Sequence, residues 1–234
     1  MSLDEIFEWV GVEPSGEDFN SISKLSKMKR PMNPMVNAGA ITTSSLLVSK
    51  LKSEASKTLL EYFSKLAGRN LSVDENMFQS EWETMDLNRA LSYLLKHNNN
   101  LPADVEKSLK LYTQLCSISL TTTDLAIMGA TLANRGINPI TQEKCVPINN
   151  LKSILSVMLT CGMYNYSGQW VFEIGLPAKS GVCGGVLMVV PDIMAVAIYS
   201  PKLDELGNSV RGIAVCQKLA KSMCLHPLDS FCRA

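Results

Sequence analysis

The sequence predicts an α+β fold in which helices pack on an antiparallel sheet. Apolar residues recur at three- and four-residue spacing through the first two thirds of the 234 residues. After Cys161 that pattern gives way to short runs rich in valine and isoleucine. Pro191-Asp192 forms a tight turn between two of those runs, which makes them antiparallel neighbours. Helices followed by a cluster of strands is the α+β order.

Taken in order, residues 3–11 form a short amphipathic helix with Leu3, Ile6, Phe7 and Val10 on one side. Residues 15–29 are polar and aperiodic and read as a loop, and Pro31 and Pro34 stop and restart structure. Residues 36–51 are small and apolar; Ala38, Gly39 and Ala40 allow close backbone approach, so this is a buried helix. Further helices are expected over 55–67, 76–96 and 103–118. Thr121 and Asp124 form a capping box that opens a helix over 125–134, closed by Gly136 with Pro139 beyond. Another helix covers 150–160. Strands are expected at 170–174, 185–190 and 194–199. Asn208 is expected to cap a last helix, with Cys216, Leu219, Ala220 and Met223 on one face. No repeat, low-complexity tract or linker interrupts the chain, so residues 1–234 read as one unit.

Composition narrows the function. Twenty-two basic and 22 acidic side chains cancel, and apolar residues make up 46%. Zero net charge removes the case for binding nucleic acid or an anionic membrane surface. No segment is long and apolar enough to span a bilayer. With only His97 and His226, a three-histidine zinc site is impossible. No metal or other cofactor is expected. The seven cysteines include no Cys-x-x-Cys clip and read as reduced, mostly buried thiols of an intracellular protein. Cys161 has no histidine near it in sequence and reads as an inert thiol rather than a nucleophile. The acidic N-terminus reads as neither a secretory signal nor a transit peptide.

The stretches richest in polar residues and glycine begin at Asn33, Cys161 and Pro177. Lys179-Ser180-Gly181 opens a predicted strand, where a lysine, a small hydroxyl and a glycine let a backbone edge approach an acyl group. The tripeptide alone has little specificity, since surface turns carry it by chance. Together with Glu13-Pro-Ser-Gly16, Asn33-Pro-Met-Val-Asn-Ala-Gly-Ala-Ile41, Phe78-Gln-Ser-Glu81, Gln114-Leu-Cys-Ser-Ile118, Ala133-Asn134, Pro139-Ile-Thr141, Cys161-Gly-Met-Tyr164, Leu176–Val182 and Gly207–Gly212 it gives an ordered series over about residues 12–224. That series resembles the glutaminase family, serine-dependent amidohydrolases of the β-lactamase and penicillin-binding fold. In detail it resembles the animal kidney- and liver-type branch.

The resemblance implies hydrolysis of L-glutamine to L-glutamate and ammonia through a serine acyl-enzyme. It implies that Asn37 contacts substrate, and that a buried Glu81 and Asn88 hold its charged α-amino and carboxylate ends. It places Tyr112 in the pocket, gives Tyr164 proton transfer, and makes the Val182 N–H half of an oxyanion hole. Each has a plainer alternative. Tyr112 also fits an ordinary helix aromatic, Tyr164 a loop residue, and Glu81 with Asn88, seven apart, one solvated helix face.

The family nucleophile lies in a Ser-x-x-Lys motif upstream of Glu-Pro-Ser-Gly. That segment here begins at residue 13, so the nucleophilic serine and its lysine are expected to be absent from the chain, along with early sheet strands. Three local Ser-x-x-Lys pairs, starting at Ser21, Ser26 and Ser49, lack the strand-to-helix context the chemistry needs. The expectation is an N-terminally incomplete catalytic domain with little or no activity alone. The alternative is a catalytically dead subunit that joins and modulates full-length glutaminase. Homo-oligomers and a mitochondrial location follow by resemblance to animal relatives. A penicillin-recognising hydrolase shares only the Lys-Ser-Gly element and is disfavoured.

Overall fold

The computed structural model describes residues 1–16, 18, 20–21 and 30–229. Most of the predicted 15–29 loop, including Lys24, Ser26 and Lys29 of two Ser-x-x-Lys pairs, lies outside the described residues, as does Cys232. The chain is α+β and divides into two compact units, Met1–Lys65 with Arg69–Leu120, and Leu66–Gly68 with Thr121–Ala234.

The first unit is helical. Helix α1 (Leu3–Trp9) opens with a capping box: Ser2 Oγ accepts from the Glu5 amide, and the Glu5 carboxylate accepts from the Ser2 amide. Helix α2 (Asn37–Leu51) is the expected buried helix and packs on α5 (Asp86–His97) and α6 (Val105–Cys116). Its start explains the Asn33–Gly39 motif. Asn33 is buried; its side chain donates to the Glu13 carbonyl at 2.8 Å and accepts from the Met35 amide at 2.9 Å. A Cβ on Gly39 would lie 1.9 Å from the Asn33 carbonyl oxygen, so only glycine fits. Ile41, Leu91, Leu95 and Leu109, all fully buried, form the centre of this core.

After α2, a 3-10 turn (Lys52–Glu54) leads into α3 (Ala55–Ala67). The helix expected over 76–96 is two: α4 (Glu75–Thr84) and α5, separated at buried Met85. The Arg89 guanidinium donates to the Trp82 carbonyl at 2.9 Å, satisfying an orphaned acceptor at the end of α4. Its charge also sits 5.1 Å from the Trp82 ring centre.

The second unit carries the sheet. Helix α7 (Thr122–Ala133) starts with the predicted box: the Asp124 carboxylate accepts from the Thr121 amide and hydroxyl, both at 2.7 Å. Helix α8 (Ile148–Cys161), a 3-10 turn (Tyr164–Tyr166) and α9 (Ser167–Glu173) follow. Strands β1 (Ala178–Ser180), β2 (Gly185–Val190) and β3 (Met194–Tyr199) form an antiparallel sheet in that order. The predicted β2–β3 pairing is present, from Gly185 opposite Tyr199 to Val190 opposite Met194.

Strand β2 is apolar without alternation because both its faces are covered. Val186, Met188 and Val190 join Trp170, Ile174, Ile213 and Cys216 in one core cluster. On the other face, Leu187 lies against α7 so closely that a Cβ on Gly129 would meet its side chain at 2.5 Å.

The strand expected over 170–174 is instead helix α9. Trp170 and Ile174, four residues apart, are fully buried, while Phe172 between them is 85% exposed. A strand would have put all three on one face. The final helix, α10 (Val210–Ser222), is capped by Ser209 rather than Asn208. Ser209 Oγ accepts from the Gly212 amide at 3.1 Å, and Asn208 is buried with its side chain toward the Met163 carbonyl. Among the described residues no helix is long and apolar enough to cross a membrane.

Candidate active site

Within the second unit, the structure assembles the residues around Tyr164. A Cβ on Gly162, which ends α8, would fall 1.7 Å from the Ala178 carbonyl oxygen. This close approach lets the Ser180 amide donate to the Gly162 carbonyl at 2.9 Å and ties the end of α8 to β1. Tyr164 then sits at φ 54°, a left-handed conformation that costs a non-glycine residue roughly 1 kcal/mol or more. That turn delivers its phenol to the start of the β1–β2 hairpin, where its O–H donates to the Ser180 carbonyl at 2.8 Å.

Three groups from one short segment surround this phenol. The Lys179 ammonium lies 3.5 Å from the phenol oxygen and 4.4 Å from the ring centre, and also donates to the Ser180 carbonyl. The Val182 backbone N–H interacts with the phenol, and the Cys183 thiol is close enough to act on it electrostatically. Burial is the strongest influence and pushes the phenol up to about 12; a negative charge on Cys183 adds to this, and the Val182 N–H opposes it. Tyr164 is therefore protonated near neutral pH. Val182 lies in the hairpin loop and is half exposed. Ser180 is fully buried, and its hydroxyl makes no hydrogen bond within the described residues.

Lys179 and Ser180 stood in the Lys-Ser-Gly tripeptide but received no individual role from sequence. The missing information was the fold of the Cys161–Tyr164 turn, which brings the phenol to them.

The first unit positions the other candidates. Asn37, the first residue of α2, donates from its side-chain nitrogen to the Asn88 side-chain oxygen on α5 at 2.9 Å. Tyr112 on α6 is partly buried against the core cluster that contains Leu91, Leu95 and Leu109. Glu81 differs from expectation. It stands on α4, a different helix from Asn88, and it is exposed rather than buried. Among the described residues, no hydrogen bond joins it to Asn37 or Asn88.

Ser49–Lys52 is the one Ser-x-x-Lys pair that the described residues contain in full. Ser49 Oγ donates back to the Leu46 carbonyl at 2.9 Å, and Lys52 is the residue that ends α2. Neither has the environment of a nucleophile and its base. The six described cysteines are all free; Cys145, Cys161 and Cys216 are buried, while Cys116 and Cys183 are exposed. Burial alone pushes the Cys216 thiol up to about 12, which makes it inert. Among the described residues no group of three His, Cys, Asp or Glu side chains could hold a metal ion.

Comparison with known proteins gives one answer. The glutaminase family model matches residues 1–227. A glutaminase of Nostoc sp. is 48% identical over 223 residues, which cover 95% of this chain and 67% of that protein. A putative glutaminase 2 of Caenorhabditis elegans is 44% identical over 234 residues, covering 98% of this chain and 38% of its own length. The crystal structure of a Bacillus glutaminase superposes with a TM-score of 0.92 at 40% identity, over 97% of this chain and 78% of that one. This chain thus spans about two thirds of the Nostoc protein and well under half of the nematode protein. On a match that runs nearly from end to end, the chain belongs to the glutaminase family.

Proposed function

We propose that this chain supplies substrate-binding and proton-transfer residues for the hydrolysis of L-glutamine to L-glutamate and ammonia. The observation that carries the reading is the convergence of the Val182 N–H and the Lys179 ammonium on the Tyr164 phenol. In the reaction a serine oxygen bonds to the side-chain amide carbon, its proton passing to the lysine of the family's Ser-x-x-Lys pair, and a tetrahedral oxyanion forms. The C–N bond then breaks and ammonia leaves with an added proton; water cleaves the resulting ester to glutamate, its proton restoring the phenol while the lysine returns the serine's. Val182 stands on the half-exposed hairpin loop, and its N–H, which meets the Tyr164 phenol, would turn to that oxyanion as a donor when substrate is bound. Tyr164, protonated at neutral pH, supplies the proton to the leaving nitrogen. Lys179 stands where its positive charge would stabilise the phenolate that remains.

Asn37, Asn88, Tyr112 and Glu81 are proposed to hold the amino-acid end of glutamine. The Asn37–Asn88 hydrogen bond fixes one amide against the other and leaves the Asn37 oxygen free to accept from an ammonium group. The attacking serine is not assigned to any described residue. The further proposal is that this chain alone turns glutamine over weakly or not at all, and that it self-associates.

Titration calorimetry with L-glutamine tests binding. The expected result is saturable heat, absent with L-leucine and weakened about tenfold by Asn37→Ala. Equal heats for glutamine and leucine would sink the substrate assignment. Ammonia release by the same sample tests the second part. Robust turnover abolished by one serine-to-alanine change within the chain would show that the nucleophile is present after all. Sedimentation velocity at micromolar concentration tests self-association, and a lone monomer boundary would reject it.

A further inference from the structure

We infer that the helical unit carries a second ligand site, a groove of about 630 Å³ that takes a small anion with an apolar body. It lies at the C-terminal end of α2, whose 15 residues separate it from Asn37 by about 20 Å. None of the four residues proposed to hold glutamine is among those that line it.

One wall is a stripe of α6. Lys107, Lys110, Leu111 and Gln114 recur at three- and four-residue spacing and so share a face. The other wall is the end of α2 and the start of α3, where the chain turns at Lys52 with φ 52°. Val48, Ala55 and Leu111, all buried, together with Ala103 form the apolar floor.

The rim is rich in donors and poor in negative charge. Among the described residues, no carboxylate pairs with the ammonium groups of Lys52, Lys107 and Lys110. The side chains of Ser53, Ser56 and Gln114 make no hydrogen bond there either, and all of them line the groove. Asp104 is the one acidic residue in the lining, and its carboxylate is engaged in capping α6 through the Lys107 amide at 3.1 Å. Three unpaired cations facing one committed carboxylate attract an anion, and the apolar floor favours a ligand with a hydrocarbon portion. A volume of this size matches a small molecule rather than an extended polymer. Lysines bind carboxylates as point charges without demanding a planar partner, so a carboxylate head on a short alkyl chain is the ligand class that fits.

The test uses the whole chain with decanoate as probe, followed by amide chemical shifts. Expected are saturable shifts confined to residues 48–56 and 103–114, much weaker with decanol at the same concentration and with inorganic phosphate. The double change Lys107→Gln with Lys110→Gln should weaken decanoate binding about tenfold, whereas Lys57→Gln, which lies outside the groove lining, should not. Decanol binding as well as decanoate would show that the lysine charges do not select the ligand. Phosphate matching decanoate would remove the apolar floor. Shifts centred elsewhere, or unchanged affinity in the double variant, would overturn the site itself. Glutamine binding is read separately, so failure here leaves the glutaminase reading standing.

Discussion

The two units position the candidate site residues by different means. In the helical unit, Asn37, Asn88 and Tyr112 stand on long helices whose inner faces build the core, so each is held by the packing of its own element. In the sheet unit, Tyr164 and Val182 stand on a turn and a hairpin loop, one of them in a left-handed conformation. Their placement depends on the end of α8 touching β1. Helices give firm but coarse placement, because a side chain can point only where the helical repeat sends it. The turn gives closer placement at a conformational cost that surrounding backbone contacts must offset. Both units still rely on a glycine beside the candidate residue: Gly39 two residues after Asn37, and Gly162 two before Tyr164.

The comparison is open to tests of decreasing size. Trp170→Ala should produce the largest loss, about 3–5 kcal/mol of unfolding free energy, because the ring is fully buried and its N–H donates to the Leu176 carbonyl at 2.7 Å. Leu109→Ala in the helical core should cost somewhat less, about 2–5 kcal/mol. Denaturant titration measures both; a loss under about 1 kcal/mol at Trp170 would contradict the inward face given to α9.

Next come Gly162→Ala and Gly39→Ala, each expected to cost at least about 2 kcal/mol, since the added carbon would overlap a carbonyl oxygen that belongs to packed backbone. If Gly162→Ala were neutral, α8 and β1 would not be joined as described, and the positioning of Tyr164 would need another cause. Smaller again is the Asn37–Asn88 hydrogen bond. A double-mutant cycle with alanine at both should show about 1 kcal/mol of coupling, and zero coupling would mean the two amides are placed independently.

The smallest effect is spectroscopic. The difference between wild type and Tyr164→Phe in ultraviolet absorbance should titrate near pH 12 rather than at the ordinary tyrosine value of about 10. The sign for stability follows. The folded state holds the proton more tightly than the unfolded chain, so this contribution is whole below about pH 10 and is lost as pH rises through about 12. A midpoint near 10 would remove burial as the controlling influence on the phenol.

Much of the architecture was legible because it is local. The Thr121–Asp124 capping box, the 55–67 helix and the hairpin around Pro191-Asp192 each depend on residues within a few positions of one another. Where the structure departs from local pattern, contacts between residues that are not sequence neighbours are the cause. Residues 170–174 carry strand-forming side chains, yet the burial of Trp170 and Ile174 one turn apart selects the helix. The 76–96 segment has helical spacing throughout, but Arg89 folding back on the Trp82 carbonyl marks a break that spacing cannot show. Glu81 and Asn88 looked like one helix face and stand on two helices.

The α+β order and the glutaminase motifs were written in the sequence, because periodicity, caps and motif spacing depend on neighbouring residues. Tertiary structure alone decided that Lys179 and the Val182 N–H meet the Tyr164 phenol, that Asn37 bonds Asn88, and that Lys52 faces the same groove as Lys107 and Lys110. Those pairs are 15 to 58 positions apart in the chain. Only the packing of distant segments, settled by the whole buried surface at once, brings them together.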